Sequence, residues 1–316
     1  MALSDVRDRS LTAPRAAAAS THLIAAWTLY VVLAIGATRA PMLLRIPVWI
    51  VMAWLLVGNG AIVHETTHRH LFRSPSANHW IGALAGATVL MPWGVYRPYH
   101  LAHHRNTVAL EDPEGPPLHF RSRLEYPALT LGGLAFIVRL NAYGIATAGG
   151  HSPTWMRSRS QRHVAVADTA LCLLVLFGVL WAAFVDVGVV LAVWLVPWLI
   201  AVMILVPLVL VTEHYGATVG TIVAAENTRT IVSNRAVRWL YWNNNFHTAH
   251  HQLPAAVHQE LPQLDAQIAR HGLEDNRRDW IYPSYIAFHR SVWAALPWLS
   301  RSADLSTDIP RDTPLS

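Results

Sequence analysis

Residues 47–68 read PVWIVMAWLLVGNGAIVHETTH, an apolar run that leads directly into a pair of histidines, His64 and His68. A helix that crosses a bilayer needs about 20 mostly apolar residues, and 47–63 comes close to that length. The stretch therefore predicts a transmembrane helix whose end carries two imidazoles, side chains that commonly bind metal ions.

The five letters at 64–68, HETTH, match the H-E-x-x-H pattern of zinc metalloproteases. On a helix, His64 and His68 lie on one face, and Glu65 between them can act as a base. Only three letters of this pattern are fixed, so a peptidase is a hypothesis that the rest of the chain has to support.

The composition is that of a membrane protein. Of 316 residues, 53% are hydrophobic and 14% are charged, whereas soluble domains have about 25% charged residues. All 24 basic residues are arginine. They are spread through the loops without a recognition motif, which argues against nucleic acid as a partner. The single cysteine, Cys172, excludes a disulfide within one chain.

Four apolar stretches are long enough to cross a bilayer, and short turns join them in two hairpins. We predict the spans at 21–38, 47–63, 165–185 and 188–212. A signal peptide is the alternative interpretation of the first stretch, because Arg7, Arg9 and Arg15 precede it as a charged leader would.

Two further apolar stretches, 80–96 and 126–150, are rich in glycine and are interrupted by Pro92 and Arg139. They are expected to lie at the interface or to re-enter the bilayer, and not to span it. The predicted domains are a cytoplasmic N-terminal segment at 1–20, one membrane domain at 21–300 and a disordered tail at 301–316.

Arginine placement orients the predicted spans. The two turns within the hairpins carry only Arg39 and Arg45, and the other segments carry 22 arginines. The positive-inside rule then places both termini and the long loop at 64–164 in the cytoplasm. Every histidine except His22 falls in that loop or after residue 213. The polar chemistry is therefore predicted on the cytoplasmic side.

The 18 histidines include three spaced boxes. The pair at 64 and 68 is followed by HLAHH at 100–104 and HTAHH at 247–251. Helical residues at i, i+3 and i+4 are neighbours, so the three imidazoles of each HxxHH box can converge on one side. Eight imidazoles are too many for one tetrahedral zinc and suit a pair of metal ions. His214, just past the fourth span, can add a ninth ligand.

Ligand type alone leaves the metal open, because imidazole binds zinc, copper, iron and nickel. Neutral ligands above apolar helices favour redox chemistry on a lipid, and two irons that activate O2 are the natural choice. Isolated histidines such as His119, His151 and His271 are expected to be surface or loop residues. His70 is expected to lie on another helix face than His68.

The order HxxxH, HxxHH and HxxHH, with a pair of apolar spans before the first box and another before the third, resembles the membrane fatty acid desaturase and hydroxylase superfamily. The similarity extends from about residue 20 to 265 and includes the acidic turn EDPEG at 111–115. With the span pattern it predicts an all-α membrane protein, with about four transmembrane helices in two hairpins and a cytoplasmic helical cap that carries the boxes.

The resemblance implies a non-haem di-iron oxygenase with two iron ions. The ligands that it implies are His64, His68, His100, His103, His104, His214, His247, His250 and His251. It also implies a lipid or acyl substrate and a separate electron donor with its reductase, of the ferredoxin, rubredoxin or cytochrome b5 type. With one cysteine, the chain cannot hold an iron–sulfur cluster of its own.

The expected reaction is desaturation of a fatty acyl or related lipid chain. Hydroxylation or ketolation of a lipid, terpenoid or carotenoid begins with the same hydrogen abstraction, and small differences in substrate placement decide between these outcomes. Both therefore stay open as alternatives on the same di-iron site.

Several polar residues beside the boxes are expected to support the ligands. Glu65, Asp112 and Glu114 can accept hydrogen bonds from imidazoles and so orient them, although a turn-forming role for EDPEG is equally compatible with the sequence. The asparagines at 243–245 can cap the helix of the third box.

Two other classes of protein remain as alternatives. An intramembrane zinc protease explains HETTH but leaves the two HxxHH boxes without a role. A histidine-rich metal transporter requires ionisable residues along its spans, and the predicted spans contain almost none besides Asp168.

Overall fold

The computed structural model describes residues 15–115, 119–219, 221, 223–270 and 281–298. Its helices are α1 (Ala16–Arg39), α2 (Met42–Thr67), α3 (Pro75–Thr88), α4 (Trp93–Asn106), α5 (Leu129–Ala148), α6 (Arg159–Val185), α7 (Val187–His214), α8 (Ala224–Asn227), α9 (Arg235–Leu240), α10 (His247–Gln252), α11 (Leu261–Arg270) and α12 (Tyr285–Ala295). A parallel pair of two-residue strands, β1 (Thr230–Ile231) and β2 (Ile281–Tyr282), is the only sheet in these residues. The predicted tail at 301–316 and most of the predicted segment at 1–20 lie outside the described residues.

Within the described ranges, five helical segments, and not four, are long and apolar enough to cross a membrane. Four of them, α1, α2, α6 and α7, contain the predicted spans. The fifth, Arg123–Ala148, consists of a 3₁₀ turn and α5 and covers the stretch at 126–150 that the sequence analysis did not count as a span. Length and composition alone do not separate a helix that crosses a bilayer from one that lies within it.

The first pair of helices packs against the second through hydrogen bonds inside the apolar region. Pro197 has no N–H, so the carbonyl of Val193, four residues earlier, lacks its helical donor. A π-helical turn at Leu191–Leu195 precedes this proline. The Tyr30 hydroxyl donates to the Val193 carbonyl at 2.9 Å, and the Trp49 indole N–H donates to Ala192 at 2.9 Å. The two backbone carbonyls beside Pro197 and the π-helical turn thus have hydrogen-bond donors without water.

α2 is the central helix of the molecule. In its most apolar window 61% of the residues are buried, against 33% or fewer in the other four candidate spans. The outer helices instead expose large apolar side chains, such as Phe184 at 83% in α6 and Ile24 at 64% in α1. Apolar surface on this scale fits contact with lipid.

The stretch at 80–96 forms two short helices and the turn between them. Ser74 caps α3 by accepting from the Ala77 N–H, and Pro75 occupies the first helical position. After α3 the chain reverses at Leu90, which has a φ of 59°, and α4 begins after Pro92. α3 packs closely on α2, and the two short helices return the chain to the histidine end of α2.

Short elements after α7 hold the third box. The Asn245 side chain donates to the Ile231 carbonyl and so ties the start of α10 to β1. The predicted capping of α10 by the asparagines at 243–245 is wrong, because Phe246 is the N-cap residue and no side chain caps this helix. Asn243 has a φ of 55°, and its side chain donates to the His258 carbonyl. The asparagines build the loop before the helix and leave its first N–H groups uncapped.

Candidate metal centre

The end of α2 presents the first two histidines. The helix continues from the apolar core to Thr67, so His64 and His68 lie one turn apart, with ring centroids separated by 5.2 Å. Arg69, with a φ of 62°, then ends the helix in a left-handed conformation. An apolar helix that continues for one more turn, which is also buried, thus positions two imidazoles.

The two HxxHH boxes occupy helices on either side of this end. The last turns of α4 carry His100, His103 and His104. α10 is formed almost entirely by the third box, with His247, His250 and His251. His214 is the last residue of α7.

All nine predicted ligands come together, in two groups. In each group the ligand nitrogens lie within 4.8 Å of one another. The five-histidine group contains His64, His68, His100, His104 and His250. The four-histidine group contains His103, His214, His247 and His251. The groups adjoin, since the rings of His104 and His251 stack with centroids 4.3 Å apart.

The three imidazoles of an HxxHH box do not converge on one side, and that prediction is wrong. A helix advances about 100° per residue, so i+3 and i+4 lie on opposite sides of i, about 100° apart. In the second box, His100 and His104 enter the five-histidine group and His103 enters the other. In the third box, His247 and His251 enter the four-histidine group and His250 enters the other. Each HxxHH box therefore serves both groups, whereas the pair at 64 and 68 lies in the five-histidine group alone.

Hydrogen bonds fix which nitrogen of several imidazoles carries the proton. The Asn227 carbonyl can only accept, so His214 donates to it through Nδ1, at 2.7 Å. Nδ1 of His103 lies 2.8 Å from the Asp112 carboxylate, and Nδ1 of His64 lies 3.1 Å from Glu65. In each case Nε2 is left as a bare lone pair directed into a group.

Burial keeps most of the ligands neutral. It lowers the pKa of six imidazoles well below the usual value, and neighbouring imidazoles lower it further: His68, His100, His104, His247, His250 and His251. The pKa of His103 is raised, because the nearby carboxylates of Glu114 and Asp112 outweigh the effect of its burial. Neutral imidazole is the form that binds metal.

The arrangement fits metal ions better than hydrogen bonds alone. Nε2 of His64 and of His103 is buried without any hydrogen-bond partner, and so is Nε2 of His251. Nε2 of His100 approaches Nε2 of His68 at 3.1 Å and that of His104 at 2.9 Å, although one nitrogen has only one proton or lone pair to share. Ions bound by the converging nitrogens would satisfy both features.

The residues around the ligands include those predicted and others. Glu65 and Asp112 accept from imidazoles as expected, and Glu114 lies 3.7 Å from Nδ1 of both His100 and His103. Asp112 also accepts from the N–H groups of Val108 and Glu114, so it orients a ligand and forms the turn.

Two further groups that support the imidazoles were not predicted from the sequence. The Tyr96 hydroxyl lies 3.2 Å from Nδ1 of His100, one turn before it on α4, and the i, i+4 spacing could have indicated this contact. Glu213, beside His214, lies 3.8 Å from Nε2 of His247 and accepts from the Tyr241 hydroxyl. No signal in the sequence pairs Glu213 with Tyr241, 28 residues later.

The other histidines lie outside both groups. His70 is buried and its ring stacks on that of His68 at 5.4 Å, although it joins neither group. His119 and exposed His151 are likewise in neither. His271 lies outside the described residues. His258 was not singled out by the sequence, and its Nδ1 lies 3.7 Å from Glu65, behind His64.

A cavity of about 440 Å³ adjoins both groups. Most of its wall is apolar and comes from α2, α5 and α7. Five of the predicted ligands line it, namely His64, His100, His103, His214 and His247. Its polar wall comprises Asp112, Glu114, Glu213, Tyr99 and Arg139, together with a few other polar groups. Pockets of this size and apolar character bind small organic molecules.

A membrane-type helical protein with nine clustered imidazoles beside an apolar cavity, five of them on its wall, is a candidate metalloenzyme for lipid-soluble substrates. The chain matches the fatty acid desaturase family over residues 39–284 and belongs to that family. Membership implies an oxidoreductase of the desaturase or hydroxylase type, a lipid substrate and a membrane setting. No curated protein matches the chain.

Proposed function

We propose that the protein uses O2, external electrons and two non-haem iron ions to desaturate a fatty acyl or related lipid chain. The observation that carries the proposal is the division of nine imidazoles into two adjoining groups beside an apolar cavity. The five-histidine group would hold one ion and the four-histidine group the other. A zinc protease needs one ion and leaves the second group without a role.

Bound iron would supply the activation of O2 and the removal of hydrogen from an unactivated carbon. The chain's own residues do the rest. Carboxylates and carbonyls hold the ligand tautomers, and Ile137, Val202 and Val209 contribute apolar wall that aligns a hydrocarbon chain and excludes water. Desaturation consumes one O2, two electrons and two protons and releases two waters. Glu114 and Glu213, on the cavity wall, are placed to carry these protons.

The electrons would come from a separate protein of the ferredoxin, rubredoxin or cytochrome b5 type with its reductase. Cys172 is the only cysteine, and it is buried in α6. A cluster of cysteine-bound iron within this sequence is therefore excluded, which supports the proposal of a separate electron donor.

The histidine groups favour four crossings of the membrane over five. The second box precedes α5, and His214 is the last residue of α7, yet His103 and His214 lie in one group. An even number of crossings has to separate them, and α6 and α7 supply two. α5 would then lie within the membrane without crossing it, as part of one domain at 21–300. The arginine distribution favours a cytoplasmic location for both termini and for the metal centre.

The direct test is product analysis with the protein in reconstituted membranes, an electron donor and a panel of lipids. Loss of two hydrogens identifies a desaturase, whereas gain of one oxygen identifies a hydroxylase. His103→Ala and His250→Ala should each abolish turnover while the protein stays in the membrane, because each removes a ligand from one group. His151→Ala, outside both groups, is the matched control. Near-normal turnover in either ligand variant would refute the metal assignment.

A further inference from the structure

Arg139 is the only charged residue of α5, and its side chain lines the cavity. Charged side chains within apolar, membrane-type helices are costly, and they usually face a functional cavity and a specific partner. In the sequence, Arg139 is only an interruption of an apolar stretch. Its surroundings in the structure give it a more specific role.

The contacts of the guanidinium are incomplete. Nη2 donates to the Tyr99 hydroxyl at 2.6 Å, and the guanidinium lies 5.5 Å from the Tyr99 ring and 5.9 Å from the Phe136 ring. Nε is buried and has no acceptor. Among the described residues, no carboxylate lies within 4.0 Å of Arg139. A buried donor and a cation without a counter-ion remain on this wall.

Tyr99 adds a second donor at the same place. Its hydroxyl accepts from Arg139, so its own proton is left to donate, and the described residues offer no acceptor for it. Two adjacent donors without acceptors, one of them cationic, match a group that only accepts. A carboxylate or a phosphate is such a group, and guanidinium is well suited to both.

We propose that Arg139 and Tyr99 bind the oxyanion head of an amphiphilic substrate whose hydrocarbon chain fills the apolar part of the cavity. This inference rests on the proposed function, because it assigns the substrate's polar end in the same cavity. Tyr99 directly precedes His100, and the Tyr99, Tyr96 and His100 rings succeed one another at 6.3 and 5.1 Å. The head would therefore lie close to the metal centre, and oxidation would fall nearer to the head than to the chain end.

A purely structural role makes a different prediction. If Arg139 only ties α5 to α4, its hydrogen bond to Tyr99 and its ring contacts suffice, and a ligand's charge is irrelevant. Without a bound ligand, the Glu114 carboxylate on the same wall could pair with Arg139 after a side-chain movement. Binding measurements with charged and uncharged ligands separate these cases.

The experiment measures binding to the purified full-length protein in nanodiscs, with and without added iron, by titration calorimetry. The probes are palmitate, lysophosphatidate with the same chain, and methyl palmitate as the uncharged analogue. We expect one or both anions to bind about 10- to 100-fold more tightly than the ester, the usual strength of charge-assisted hydrogen bonds. The tighter anion identifies a carboxylate or a phosphate as the head.

Variants then locate this preference. Arg139→Gln should weaken binding of the anion to the level of the ester. Arg139→Lys should keep part of the preference for the anion, and Tyr99→Phe should weaken it. Arg157→Gln, an exposed arginine before α6, is the matched control. If Arg139→Gln does not fold, the comparison of acid and ester on the unmodified protein still decides.

Equal binding of acid and ester, binding of neither, or an anion preference that survives Arg139→Gln would overturn the proposal. Abolition of the anion preference by Glu114→Gln with Arg139 intact would also overturn it. Metal content and O2 consumption, measured on the same preparations, report on the proposed function independently. A protein that holds iron but shows no anion preference refutes only the role of Arg139.

Discussion

The two histidine groups differ in what surrounds them. The five-histidine group takes both ligands of the first box and the outer pair of the second, and its closest carboxylate is Glu65, held at His64. The four-histidine group has one imidazole fewer and more carboxylates, because Asp112 and Glu213 lie beside His103 and His247. The four-histidine group thus has fewer imidazoles and more carboxylates beside them than the five-histidine group.

This difference shows what an HxxHH box contributes. The residues at i and i+4 supply a pair to one group, and the residue at i+3 points to the other. The second box gives its pair to the five-histidine group, and the third gives its pair to the four-histidine group. Because each HxxHH box contributes histidines to both groups, the two boxes hold the groups side by side. Boxes with only an i, i+4 pair would each contribute to one group. His214 then completes the smaller group from the end of α7.

The largest effect should follow from removing one pair. His68→Ala with His104→Ala should empty the five-histidine group, and His247→Ala with His251→Ala the four-histidine group. Each double variant should lose one of two metal ions and all turnover, since the five-histidine group keeps three imidazoles and the four-histidine group keeps two, fewer than the four protein ligands of a closed site. Metal analysis of the purified protein, beside an activity assay, checks this.

The matched control is His151→Ala with His163→Ala, which removes two exposed imidazoles outside both groups. It should keep both ions and full turnover. Retention of both ions in either pair variant would show that the two groups are not the metal sites.

A smaller effect should follow from changing the carboxylate behind each group. Asp112→Asn removes the charge that holds His103, and Glu65→Gln removes the charge that holds His64. Each should weaken metal binding by about 10- to 100-fold, in its own group only. Metal affinity can be measured by competition with a chelator. Asp186→Asn is the control, at the start of α7, the end opposite His214. It should leave metal affinity unchanged, because either side chain can cap α7.

The smallest effect should come from Tyr96→Phe. It removes one hydrogen bond to His100 and keeps the ring that stacks on it at 5.1 Å. A net loss of about 1 kcal/mol corresponds to several-fold weaker metal binding in the five-histidine group. Tyr143→Phe is the control, because Tyr143 packs on Trp155 away from the ligands. An unchanged affinity in Tyr96→Phe would show that this bond does not orient His100.

Much of the centre could be predicted from the sequence, because helical spacing and apolar length are local properties. The i, i+4 pairs of all three boxes and the helix that carries His64 follow from such patterns. The division of the boxes between two groups was missed, although it too follows from the angle between i+3 and i+4. Residues at i+3 and i+4 are both neighbours of residue i, but their side chains point in directions about 100° apart and do not converge.

Other features depend on the tertiary structure. α5 has the composition of a span, and only the meeting of His103 with His214 favours its lying within the membrane. The asparagines at 243–245 resemble helix caps in the sequence. In the structure, the Asn245 side chain instead donates to β1 and the Asn243 side chain donates to the loop at His258. Arg139 becomes informative only beside Tyr99, from another helix. No pattern of neighbours in the sequence contains these contacts.

The central claim is that the two groups hold two irons. The most direct measurement is the iron and zinc content per chain of the protein purified from iron-supplemented cells, with O2 uptake in the presence of an electron donor. If each histidine group holds one iron, we expect two irons per chain, no stoichiometric zinc and iron-dependent O2 uptake. One zinc per chain, or no tightly bound metal, would contradict it.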